Sequence, residues 1–408
     1  MRRFILPGLL ACCLFACDRT EPEPAATVET SIDAPAALAA VLHDYFEASL
    51  ELNPLAATSI GDDRFNDRLA IPISAEHRER SLAMEQQFLG RLRDVDRALL
   101  SEQDQLSYDL FRLQREWSIE ADAFPWYLQP INQFRSFMNS FVQLGSGEGL
   151  HPFATVKDYD DWLGRVDDFN EYVDTAISNM QEGAANGIVQ PRVLMAKVVP
   201  QLESQVVDSA AESGFWAPVS NMPDDFSEED RQRLTAAYRE AIESKVIPAY
   251  TRMLNFVTDD YMAAARDTVG LGALPGGRAW YEHLVRVRTT TELTPEEIHQ
   301  IGLDEVERIH AGMRGVMEEV GFEGTLDEFF DFAATDPQFF YESPDALIQA
   351  YRDMAAEIAN ANKALFALFP NTDYEIRAVE PFRERSASRG SYQAGTPDGR
   401  RKGIFYAN

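Results

Sequence analysis

The chain has 408 residues, 45% of them apolar, and a formal net charge of −30. This composition excludes a disordered chain, and acidic residues spread along the whole length exclude a phosphate-binding surface, hence nucleic acid as a partner. The length allows two or three domains or one extended helical body.

The N-terminus, "MRRFILPGLLACCLFACDRT", has two arginines and then an apolar run from Phe4 to Ala16. That run is too short to span a bilayer and has the make-up of a signal peptide, residues 1–16. "LFAC" (Leu14 to Cys17) resembles the lipobox of bacterial lipoproteins, with Phe15 where a smaller residue is usual. The resemblance implies lipidation of Cys17, a membrane anchor through that lipid, and a periplasm-facing protein. Asp18 leaves inner and outer membrane open. Cys12 and Cys13 would leave with the signal, so the mature chain would have no disulfide and no cysteine nucleophile. Residues 17–33, rich in Pro, Thr and Glu, read as a flexible tether.

From Ala34 the spacing of apolar residues is helical, first up to Asn53-Pro54. Two more helical patterns follow, with Ser74 and Ser101 as N-caps. The loop "FPWYLQPINQF" is aromatic; it could line a groove, but a packed connection between helices is the favoured reading. A long amphipathic helix opens near Thr155 and is expected to close at Gly183. Another is expected from about Pro191 to Glu212. A Ser-x-x-Asp cap at Ser227 opens a helix expected to kink near Pro248. "LGALPGG" (Leu271 to Gly277) is a break. Thr294, Pro295 and Glu297 form a capping box with proline at the first helical position. The last long helix is expected from Ser343 to a stop at Pro370. At Thr372 the period changes: "DYEIRAVEP" and "GIFYAN" read as strands, joined by a loop with a "PDG" turn signal.

The residues alone supply no complete active site. His43 and Glu47 lie at i, i+4, and a solvated or ion-paired face is the favoured reading of them. His299 and His310 fall on a similar helix face but about 16 Å apart, too far to share an ion. His283 follows Glu282 without a further partner. No Gly-x-Ser-x-Gly is present, and "GSGEG" (Gly145 to Gly149) lacks a following Gly-Lys-Ser/Thr.

Two stretches carry a family resemblance. "LPGGRAWYEHLVRVRTTTELTPEEIHQIGLDEVERI" (Leu274 to Ile309) and the tail "YQAGTPDGRRKGIFYAN" resemble the DUF885 family of bacterial proteins. Arg288 stands where that family often has histidine. The likeness runs from about Ala34 to Asn408. It implies a helical body over residues 34–370 and, over 371–408, the start of an α+β region like that of zinc metallopeptidases. In the family a His-Glu-x-x-x-Pro-Gly-His-His helix follows the strand. This chain stops before it, so the expectation is an N-terminal fragment that binds no metal itself, with zinc held by the full-length protein.

The fold class expected is therefore mainly α, a large multi-helix body leading into an α+β region. The function implied by the resemblance is zinc-dependent peptide hydrolysis by the full-length protein. Tyr406, Asn408, Arg400 and Tyr392 are the implied peptide-binding residues, along a strand that accepts an extended substrate. Residues 404–407 are expected as an unpaired or half-covered edge. A non-enzymatic binding or scaffold lipoprotein is the alternative, and a hydrolase of other amides or esters stays open.

Overall fold

The computed structural model describes residues 33–408, except 135, 381–383 and 385–386. The signal segment, Cys17 and all of the tether but Asp33 lie outside the described residues. No helix among the described residues is long and apolar enough to cross a membrane.

Three helices open the chain: α1 (Ala34–Leu52), α2 (Ala75–Arg93) and α3 (Glu102–Ala121). Ser74 and Ser101 cap α2 and α3, accepting from the backbone N–H of His77 and Asp104. Their apolar faces share a core of Leu38, Val41, Phe88, Leu92 and Phe111. Tyr45 stands edge-on to Phe88 and Phe111. Beside it, Arg115 and Glu85 form a buried ion pair at 2.6 Å. A six-residue helix, Pro54–Ser59, follows α1 directly.

The larger core is built around α5 (Val156–Asn186). Tyr159, Trp162, Val166, Phe169, Val173, Ala176 and Met180 are buried on it. They recur at alternating steps of three and four, so they form one apolar stripe. α4 (Phe137–Gly145), α6 (Arg192–Glu203), α7 (Glu228–Ala241) and α8 (Ile247–Asn255) enclose that stripe. Phe141 stacks on Phe169 and Tyr238 on Trp162.

Three boundaries differ from the periodicity reading. α5 passes through Gly183, whose missing side chain admits the carbonyls of Ile188 and Leu128, and ends at Gly187 in the left-handed conformation. α6 stops at Glu203 rather than Glu212, because the Ser- and Asp-rich run after it prefers local turns. Between α7 and α8 the chain widens into a π-helical turn at Ile242–Val246, just ahead of Pro248. That is how the helix tolerates a ring without an N–H.

α9 (Gly277–Thr289) lies against the end of α3: Trp280 stacks on Phe124, and Arg286 pairs with Glu120. α10 (Pro295–Glu319) starts with the expected capping box, and α11 (Leu326–Thr335) with another. α12 (Pro344–Asn362) ends eight residues before Pro370, after a run with two asparagines of low helix propensity.

Three strands close the described chain: β1 (Tyr374–Ala378), β2 (Gly390–Gln393) and β3 (Gly403–Ala407), in the order β1-β3-β2. β3 is parallel to β1 and antiparallel to β2. Residues 404–407 are therefore in the central strand, paired on both sides, and not the unpaired or half-covered edge expected from the sequence. β2 lies in the segment read as a loop; four residues containing glycine and serine are too short for a clear period. Phe405 and Ala407 pack towards Ile348 and Tyr351 of α12, while Ile404 and Tyr406 pack with Val379 on the opposite face.

Candidate functional site

The four predicted binding residues do not converge on one cleft. Tyr392 is opposite Phe405 across the β2–β3 ladder, whereas Tyr406 is opposite Ser391. Directly opposed residues share a face and successive ones alternate, so Tyr392 and Tyr406 point to opposite sides of the sheet. Tyr406 is 5% exposed and belongs to the sheet's packing, and Tyr392 is 58% exposed. The Tyr392 ring leans over Gly403, where any side chain would collide with it, and meets Tyr374 edge-on.

Asn408 holds the preceding loop. Its side-chain amide donates to the carbonyls of Glu384 and Ala387, at 2.8 and 3.3 Å. Arg400 directly follows the tight turn Thr396–Pro397–Asp398–Gly399 and pairs with Asp398. The Thr396 hydroxyl, then the Arg400 backbone and side chain, pull the Asp398 carboxyl down to about 2. The other end of Arg400 donates to the Gly61 carbonyl at 3.1 Å, and Arg401 donates to Ser59 at 2.6 Å. These two arginines clip the C-terminal turn onto the bend after Pro54–Ser59. In this arrangement Arg400 joins two parts of the chain, with Nε on Asp398 and Nη2 on Gly61.

The open features of the sheet are its edges. The Asn408 N–H donates to Arg389 across the ladder at 3.0 Å. In an antiparallel ladder such exchanging pairs alternate with non-bonded ones. Ser391 and Gln393 therefore turn their N–H groups to β3, and Gly390 and Tyr392 turn theirs outward. This is a row of donors beside an exposed tyrosine ring.

The bend that receives the arginines is itself fixed by α5. Arg165, fully buried, donates to the Arg68 carbonyl at 3.0 Å, to the Thr58 hydroxyl at 2.6 Å and to the Phe65 carbonyl at 3.3 Å. A fourth contact runs to His151 Nδ1 at 2.8 Å, and His151 Nε2 meets the Asp158 carbonyl at 2.8 Å. Asp168 accepts from the Leu69 N–H, and Asn179 donates to Ile73. Burial pulls the Arg165 guanidinium down to about 10, which still leaves it charged at neutral pH.

The histidines are dispersed. His43 is exposed, with Glu47 turned to Arg64, as the solvated-face reading has it. His283 is buried beside Glu120 and Phe124, and His151 in the Arg165 cluster. Among the described residues no three His, Cys, Asp or Glu side chains are grouped to hold a metal ion. The described residues thus do not fit the zinc that the family resemblance implies.

A separate concavity of about 560 Å³ opens in the helical body. Its walls include Leu55, Ile73, Trp126, Gln129, Tyr172 and Trp280. Sequence reasoning raised a groove for the aromatic loop but favoured a packed connection, and it read the "LGALPGG" break only as a break; both line this concavity.

Comparison with known proteins places this geometry in a family. Residues 54–408 match the family model described as "Bacterial protein of unknown function (DUF885)", and the chain belongs to that family. A solved structure described as the putative lipoprotein from Colwellia psychrerythraea superposes with a TM-score of 0.78 at 20% identity. The match covers 92% of this chain and 68% of that one, and at this identity it shows a shared fold. No curated protein matches the sequence.

Proposed function

We propose that this DUF885 protein is a lipid-anchored, periplasm-facing envelope protein that takes up extended peptides along the outer edge of β2 for hydrolysis. The observation that carries the reading is that edge, with the outward N–H groups of Gly390 and Tyr392 and the exposed Tyr392 ring. Main-chain pairing would supply affinity that tolerates many sequences, and the ring would favour an apolar residue beside it. The anchor is supported by the lipobox-like Leu14 to Cys17 and by the description of the Colwellia structure as that of a putative lipoprotein. Zinc is the cofactor that the family resemblance implies; because the described residues offer no ligand set, no step is routed through a metal. Tyr392→Pro removes an outward donor that an edge strand does not need for its own ladder. It is expected to weaken binding of an unstructured peptide at least tenfold by calorimetry, while Tyr392→Ala keeps the donor and loses only part. Wild-type affinity in Tyr392→Pro would overturn the reading.

A second reading, a scaffold lipoprotein that grips a partner, is favoured by one observation. α10 buries only Met317, and Val306, Ile309, Val316 and Val320 lie exposed at helical spacing. Phe330, Phe339 and Phe340 beyond it are exposed as well. Exposed apolar area on this scale marks an interaction surface. Ile309→Glu is accordingly expected to change stability by less than about 0.5 kcal/mol in the isolated chain. A loss of several degrees in Tm would show that the face is packed in solution and remove the ground for the scaffold reading.

A further inference from the structure

The cavity in the helical body draws its walls from segments far apart in sequence. Leu55 and Ile73 flank the bend after α1. Trp126 and Gln129 come from the aromatic loop, Phe137 from α4 and Tyr172 from α5. Leu271, Trp280 and Leu284 come from the glycine-rich break and α9. Its volume of about 560 Å³ falls in the range of sites that enclose a small organic ligand.

The wall chemistry narrows that ligand. Apart from the Tyr172 phenol, no lining side chain is ionisable; the polar ones are the amides Asn53, Gln129, Asn132 and Gln190. A charged guest would lose hydration here without an opposite charge to replace it. Four aromatic rings, those of Trp126, Phe137, Tyr172 and Trp280, offer faces and edges for a flat apolar group. Gln129 Nε2 is buried behind this wall, with no surface open to the cavity, so it offers a guest no donor. Gln190 donates to the Ile131 carbonyl at 3.1 Å and is likewise tied in place.

We infer that this cavity binds an uncharged aromatic amide, the ring lying among Trp126, Phe137, Tyr172 and Trp280. The choice of an amide rests on the peptide reading of the protein. Occupation of the cavity by a neutral aromatic group rests on its walls alone. In the peptide reading the cavity is a pocket for one aromatic residue of the substrate, separate from the β2 edge.

The test is calorimetric titration of the full chain with N-acetylphenylalaninamide, N-acetyllysinamide and methyl glucoside. The phenylalanine amide is expected to bind at least tenfold more tightly than either of the others. Leu271→Trp, which fills the cavity from a short exposed turn, should abolish that binding. Equal binding of the cationic amide, preference for the sugar, or unchanged affinity in Leu271→Trp would each overturn the assignment. Because single capped residues are too short to pair along β2, these outcomes are independent of Tyr392→Pro. The edge reading can therefore fail while the cavity stands, and the cavity can fail while the edge stands.

Discussion

Arg165→Leu is expected to destabilise the protein by about 3–5 kcal/mol, measured as a shift in urea midpoint at pH 7.5. The side chain is fully buried and satisfies the Arg68 and Phe65 carbonyls, the Thr58 hydroxyl and His151 Nδ1 together. Leucine matches part of the volume and supplies no donor, so these acceptors lose their partner in a place water does not reach. Asp161, Asp67 and Asp168 also lose the positive charge among them. The damage reaches beyond α5. The segment that Arg165 holds carries the Ser59 and Gly61 carbonyls that dock Arg401 and Arg400, and it leads into Ile73 at the cavity wall. Loosening of the C-terminal turn, read by proteolysis near residues 396–401, should accompany the loss. Arg165→Lys is expected to recover little, because one ammonium cannot reproduce a planar fork reaching five acceptors, Asn66 Oδ1 included. A loss below 1 kcal/mol for Arg165→Leu would mean that the cluster is not what fixes the bend.

What could be read from the sequence was local. Ser74, Ser101, Ser227, Thr294 and Ser343 cap the helices they were expected to cap, since a cap is decided within four residues. The strands at Tyr374 and Gly403 begin close to where the period changes. Strand order is a long-range fact, and it is where expectation failed: β2 sits beside β3 and turns the expected edge into the centre of the sheet. That placement also buries Tyr406 and sets it on the face away from Tyr392. The cavity was illegible for the same reason, because Trp126 and Trp280 are more than a hundred residues apart. Arg165 left one clue. It lies three residues after Trp162 and one before Val166, inside the apolar stripe of α5, where an arginine must find buried acceptors.

Acid is expected to weaken the fold before the carboxylates titrate, through His151. Its Nε2 meets the Asp158 carbonyl, so that nitrogen carries the proton, and Nδ1 accepts from the Arg165 guanidinium. A second proton would have to enter at Nδ1, facing a cation at 2.8 Å in a buried site. Burial, then Arg165, push the imidazole down to about 4 from its ordinary 6.5, against a smaller opposing pull from Asp158. The folded state therefore resists protonation that the unfolded chain accepts. Stability from this group is complete above pH 6.5 and is lost as pH falls towards 4, with no further loss below. The full window corresponds to about 3 kcal/mol, of which about 2 kcal/mol is lost between pH 6.5 and pH 5. His77, whose burial also lowers it, acts in the same sense. Urea unfolding at pH 7.5, 6.5, 5.8 and 5.0 would show the slope. His151→Gln keeps one donor for Asp158 and one acceptor for Arg165 without a titratable ring, so its stability should change far less over the same range. If wild type and His151→Gln lose stability in parallel, the acid sensitivity originates elsewhere and the buried imidazole does not carry it.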